Sequence, residues 1–126
     1  MLVKDIAKVS TIIAGDGSSL KEVLNERNDR VKLGYSLAHA RLTPGQQTRS
    51  HRLKSSSETY LILEGEGRIT VDNENQNVKA NQLVFIPANT AQKIVNTGKT
   101  DLVFLCICDP AWKQRDEQVI EKNEMD

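Results

Sequence analysis

Aromatic residues, cysteine and histidine are all scarce in this chain of 126 residues, which holds one Trp, two Tyr, two Phe, two Cys and two His. Two cysteines exclude a disulfide-stapled scaffold. Cys106 and Cys108 stand two apart in LVFLCIC, on one strand face about 6.5 Å from each other, where they would bridge poorly. They read as buried reduced thiols. Net charge is missing too: 17 Lys and Arg balance 17 Asp and Glu, so the chain lacks the field that draws nucleic acid or an anionic membrane, and neither is an expected partner. Long apolar runs are also absent from the start, MLVKDIAKVSTIIAGDG, where Lys4, Asp5 and Lys8 break the pattern. That leaves no core for a signal peptide and no segment long enough to span a bilayer, and a cytoplasmic location is expected.

Short alternating runs dominate what is there. Strands are expected in VKLGYSLAHARL from Val31, then in TYLILEG, GRITVD, NVKA, QLVFIP, AQKIVN and DLVFLCIC, divided by turn clusters rich in Gly, Asn and Pro. Only one segment reads as helical: Ser19 precedes Leu20, Val23 and Leu24 at helical spacing, with Glu22 completing a capping box, so a short N-terminal helix ending near Asn25 is expected. The whole is one all-β domain spanning residues 1–126. Its core barrel is placed at about 31–109, with an N-terminal extension over 1–30 and a C-terminal tail over 110–126. The tail is charged, Trp112 is its expected anchor, and its last few residues are expected to be mobile. The run Leu102 to Cys108 is apolar on both faces. One face must fill the barrel while the other meets a second layer or subunit, which points to a homodimer.

The most informative stretch is PGQQTRSHRLKSSSETYLILEGEG, Pro44 to Gly67. Gly45, His51, Glu58 and Gly65 fit the pattern G-x5-H-x-H-x(3,4)-E-x6-G, with Leu53 at the second histidine position. A second pattern, G-x5-P-x-G-x2-H-x3-N, lies over Asn81 to Asn96. Pro87 and Asn96 match it, Asn81 and Asn89 replace glycines, and Gln92 replaces the last histidine. Asparagine is among the residues that best tolerate positive φ in such turns. Over roughly residues 35 to 109 the chain resembles the small single-domain cupins, and the resemblance implies a jelly-roll β-barrel with one interior site. Of the four metal-ligand positions of that family, the chain keeps His51 and Glu58, offers Gln92 as a weaker oxygen donor, and has lost one to Leu53.

Side chains alternate faces along a strand, so His51 and Leu53 should both point into the barrel. The expected pocket lining is Ala38, Ala40, Leu42, Leu53, Tyr60, Ile62, Ile94, Phe104 and Cys106 around His51, Glu58 and Gln92, an apolar wall with a few convergent polar groups. His39 falls on the opposite face by parity, with Tyr35, Leu37 and Arg41. Arg49, Arg52 and Lys54 read as a solvated cluster on the rim. GEGRI has no following helix and is no phosphate loop, and Ser55 to Ser57 lacks a nucleophile-elbow context.

Two functions fit this reading. In the first, the barrel binds a small molecule and acts on it, either through one divalent ion (Mn, Fe, Ni or Zn) held by His51, Glu58 and Gln92, or by proton transfer between His51 and Glu58 with Gln92 steadying an oxyanion. In the second, it binds or senses a metabolite without catalysis, its metal chemistry given up.

Overall fold

Alternation of side chains makes most of this chain extended. In β5 (Ser57–Glu64) Glu58, Tyr60 and Ile62 are buried while Thr59 and Leu61 are only half-buried, and in β9 (Gln92–Asn96) Gln92, Ile94 and Asn96 are buried around half-buried Lys93 and Val95. A period of two on a half-buried surface is the signature of a strand with one face on a core.

The computed structural model describes residues 1–120; the expectation for the last few residues of the tail lies outside them. The other strands are β1 (Ile12–Ile13), β2 (Ser19–Leu24), β3 (Ser36–Leu42), β4 (His51–Leu53), β6 (Glu66–Val71), β7 (Glu74–Lys79), β8 (Leu83–Ile86), β10 (Leu102–Asp109) and β11 (Glu117–Val119). They form two antiparallel sheets, one in the order β1-β2-β3-β10-β5-β8 and one in the order β11-β4-β9-β6-β7. The fold is an all-β jelly-roll, as the motif spacing implied. Each of the seven segments read as strands overlaps one, although β3 begins at Ser36 rather than at Val31 and β7 begins at Glu74, ahead of NVKA.

The residues between the sheets form the core. Leu42, Ile62, Ile94 and Leu102 have no exposed surface, and Phe104 stacks at a tilt on Tyr60, with ring centroids 4.8 Å apart. Each such side chain stabilises the fold by about 1.5–3 kcal/mol relative to solvent. Val103, on the outer face of β10, is also buried, and Leu105 and Ile107 beside it are half-buried. The turns follow their residues: Asn81 and Asn89 have φ of 71° and 59°, the left-handed conformation for which asparagine is suited. Gly65 is at φ 84°, and a Cβ there would stand 2.5 Å from the Asp101 carbonyl oxygen, so both conformation and space require glycine.

Two expectations are corrected. The segment expected to be helical from Ser19 is β2, paired antiparallel with β3 through Ser19↔Arg41, Leu20↔Ala40 and Glu22↔Ala38. A free edge of β3 offers a full ladder of hydrogen bonds, whereas an isolated two-turn helix is marginal by itself. The helical turns that do form are single 3-10 turns at Ile6–Lys8 and Gln114–Asp116. The tail is also more than an anchored appendage: β11 adds to β4 through Glu117↔Leu53 and Val119↔His51. Sheets thus run into both segments outside 31–109. Among the described residues no helix is long and apolar enough to cross a membrane.

Candidate functional site

His51 opens β4 and its ladder partner in β9 is Gln92, so pairing register alone sets these two side chains next to each other on the barrel's inner face. Both are buried, His51 and Gln92 being 2% exposed each. Glu58 comes from the facing sheet, where it stands opposite Cys108 in the β5–β10 ladder. Gln92 and Glu58 are joined in one chain of hydrogen bonds. Tyr60 donates its hydroxyl to Gln92 Oε1 at 2.6 Å, Gln92 Nε2 donates to Glu58 Oε1 at 2.9 Å, and the Cys108 thiol donates to Glu58 Oε2 at 3.4 Å.

His51 is oriented separately. Its Nδ1 lies 2.7 Å from the Arg49 carbonyl oxygen, an acceptor only, so Nδ1 carries the hydrogen and Nε2 is left toward the interior. There Nε2 lies 3.7 Å from Asp16 Oδ2. Asp16 is held by its other oxygen, which accepts from the backbone N–H of Ser18 at 2.9 Å and from its hydroxyl at 2.7 Å.

These groups face a cavity of about 190 Å³. Ala38, Ala40, Leu53, Tyr60, Phe104 and Cys106 line it with His51 and Glu58. Leu42 and Ile94, expected in the lining, lie deeper in the hydrophobic core, away from the cavity. Ile62 is likewise fully buried core. Gln92 is a second correction: it does not line the cavity, and its amide N–H is turned onto Glu58. It positions Glu58 and Tyr60. His39 is outside the site, its backbone paired with Lys21 and Leu105. Of the rim cations, Arg52 is turned outward onto Gln118 Oε1 at 2.9 Å.

The structure adds residues that motif reading missed. Asp16 enters from the loop between β1 and β2, Glu22 and Leu24 from β2, Trp112 and Glu117 from the tail, and Cys108 from β10. A strand reading of SLKEVL would have set Leu20, Glu22 and Leu24 on one face, and that alternation was the available signal.

Burial sets the electrostatics. It pushes the Glu58 carboxyl up from its ordinary range, against the pull of His51 and of hydrogen bonds from Gln92 and Cys108. Burial also raises Glu117, opposed by His51 and reinforced by Asp16. The Cys106 and Cys108 thiols and the Tyr60 hydroxyl are all driven up by burial, with the Glu58 charge adding to it. Burial of this kind disfavours the thiolate, the nucleophilic form of cysteine.

Residues 38–108 match the cupin domain family. The chain belongs to the cupin family. An uncharacterised protein (MJ1618) of Methanocaldococcus jannaschii is 37% identical to this cupin over 114 residues, 90% of each chain. An oxalate-binding protein of Thermotoga maritima is 34% identical over 70 residues, 56% of this chain and 58% of that one. Among solved structures, the nucleoside dehydratase Pac13 superposes with a TM-score of 0.78 at 16% identity, covering 96% of this chain and 92% of that one, a likeness of fold. Variants of the Streptomyces protein are solved with uridine.

Metals are common among cupins, and the donor set tests whether this one suits them. Leu53 gives no donor, and Gln92 accepts from Tyr60 and donates to Glu58 without lining the cavity. Among the described residues no group of three or more His, Cys, Asp and Glu is arranged to hold an ion. The expected set of His51, Glu58 and Gln92 does not fit a resident divalent metal, because Gln92 lies off the cavity wall and leaves only two donors of the set facing it.

Proposed function

We propose that this cupin binds a small molecule in the barrel cavity and moves protons on it with His51 and Glu58. The observation that carries the reading is the pairing of unlike groups in one closed space. A buried carboxyl, raised by desolvation, is held by Gln92 and Cys108, beside an imidazole whose Nδ1–H is tied to a carbonyl and whose Nε2 faces inward. A buried carboxyl and an imidazole with one ring nitrogen facing a cavity are an ordinary pair for general acid–base chemistry near neutral pH. Nε2 of His51 takes a proton from the ligand while the protonated Glu58 returns one, and the pair resets through solvent at the mouth. The apolar wall of Leu20, Leu53 and Phe104 excludes competing water. No divalent ion enters this reading, since Gln92 is committed elsewhere.

The free, buried thiols of Cys106 and Cys108 suit a reducing compartment such as the cytoplasm, and a homodimer remains the expected assembly.

Proton transfer to and from carbon leaves a label. The chain incubated in D₂O with pooled metabolites should place deuterium on at least one of them, or release a dehydrated or isomerised product, and Glu58→Gln or His51→Gln should each slow this about 100-fold or more. If metabolites bind yet none exchanges or reacts, the cavity is a binding site without catalysis.

A further inference from the structure

The polar groups on the cavity wall share one property that sets what can enter. Asp16, Glu22, Glu58 and Glu117 line it, His51 is the lone imidazole, and among the described residues none of those lining it is Lys or Arg. Glu22 is answered from outside by Arg27, at 3.6 Å, while no Lys or Arg among the described residues lining the wall answers Asp16 or Glu117. They arrive from opposite ends of the chain. The β1–β2 loop and β11 meet there closely enough that a Cβ on Gly15 would stand 2.6 Å from Glu117 Oε2.

Hydrogen-bonding capacity points the same way. Asp16 spends Oδ1 on Ser18 and turns Oδ2 inward. His51, with only 3% of its side chain exposed, has Nδ1 taken by a carbonyl and Nε2 aimed into the cavity, where Asp16 Oδ2 at 3.7 Å is beyond hydrogen-bond length. Asp16 Oδ2 and the Glu117 carboxylate beside Gly15 are acceptors. A ligand that satisfies them must bring donors. A ligand with its own carboxylate or phosphate would place like charges together in a poorly solvated space without a cation to answer them, a costly arrangement.

We propose that the cavity selects a small, non-anionic ring compound bearing hydroxyl or amino donors, and rejects carboxylates and phosphate esters. The proposal rests on the reading of the cavity as a small-molecule site. It separates this cupin from its oxalate-binding relative: a dianion has no counterpart here. Asp16 and Glu117 are the residues that decide the selection, and the apolar wall holds the ring itself.

The chain provides its own reporter, because Trp112 is its one tryptophan and lines the cavity. The experiment titrates the intact protein with matched triplets, an alcohol, an amine and a carboxylate on the same five- or six-membered ring, together with oxalate and inorganic phosphate, and follows Trp112 emission. Alcohols and amines should bind at least tenfold more tightly than their carboxylate twins, with oxalate and phosphate silent. In Asp16→Asn/Glu117→Lys the order should invert, and Asp16→Asn alone, which keeps shape and removes charge, should narrow the gap if the double variant folds poorly. Carboxylates that match or exceed their twins in the natural protein overturn the proposed ligand class while leaving the binding site intact. If no compound of any charge perturbs Trp112, the small-molecule reading of the cavity fails and this proposal fails with it.

Discussion

Glu58 meets two opposed demands, burial that disfavours its charge and a histidine with two donors that favour it. Burial is the larger, so the folded carboxyl titrates above its unfolded counterpart. The sign for stability follows from linkage: the contribution of such a group is fully present below the unfolded carboxylate range and is lost as pH rises through the folded value. Glu58→Gln keeps the shape and stays neutral. By calorimetry the variant should melt close to the natural protein at about pH 4 and above it at about pH 8, because the charge that the native state must bury is gone. A variant that is the less stable of the two at the higher pH would mean that the hydrogen bonds from Gln92 and Cys108 outweigh burial. At this scale, His51 and Glu58 were legible as interior residues because strand parity and motif spacing both fix them. Glu117 was not, since β11 pairs with β4 far away in sequence, and Asp16 was not, since it sits in the loop of a β1–β2 hairpin that reads locally as the approach to a helix.

The β4–β9 pairing carries the site as an element. His51 and Leu53 share the inner face of β4, Gln92 stands across from His51 on β9, and a shift of one residue in either strand would turn the set outward. Leu53→His with Gln92→His therefore adds two nitrogen donors next to an existing imidazole. Isothermal titration of the folded double variant with nickel or manganese should show affinity at least tenfold above the parent, as each imidazole adds a donor near neutral pH. Unchanged affinity would mean that the imidazole introduced at position 92 cannot turn past Tyr60 into the cavity, leaving the inner end of the site closed to an ion. The β2 strand teaches the opposite lesson. Leu20, Val23 and Leu24 satisfy a helix repeat, while Leu20, Glu22 and Leu24 satisfy a strand repeat, and six residues are too few to separate the two periods. The unpaired edge of β3 decided between them.

At the scale of the molecule, the outer face of the six-stranded sheet carries an apolar patch over β10, β5 and β8 that is exposed toward the β8 edge. Leu61 pairs with both Leu83 and Leu105, Thr59 with both Phe85 and Ile107, and Leu83 and Phe85 are 62% and 59% exposed. Burying each such side chain against a second copy would contribute about 1.5–3 kcal/mol, and β8 is an edge strand able to meet another. Light scattering at micromolar concentration should give twice the chain mass, and Leu83→Glu/Phe85→Glu should give a monomer with the cavity still able to bind. A natural protein that runs as a monomer would leave this face without its expected partner. The amino-acid sequence by itself determined the all-β class, the strand segments of the barrel and the inward aim of His51, Leu53 and Glu58, because these follow from local alternation and from spacings within a few tens of residues. Only the tertiary structure decided that Gln92 braces Glu58 instead of facing the cavity, that Ser19 to Leu24 is a strand, and that Asp16 and Glu117 share the cavity wall. Those outcomes depend on which distant edges remain to be paired, and no local periodicity encodes that.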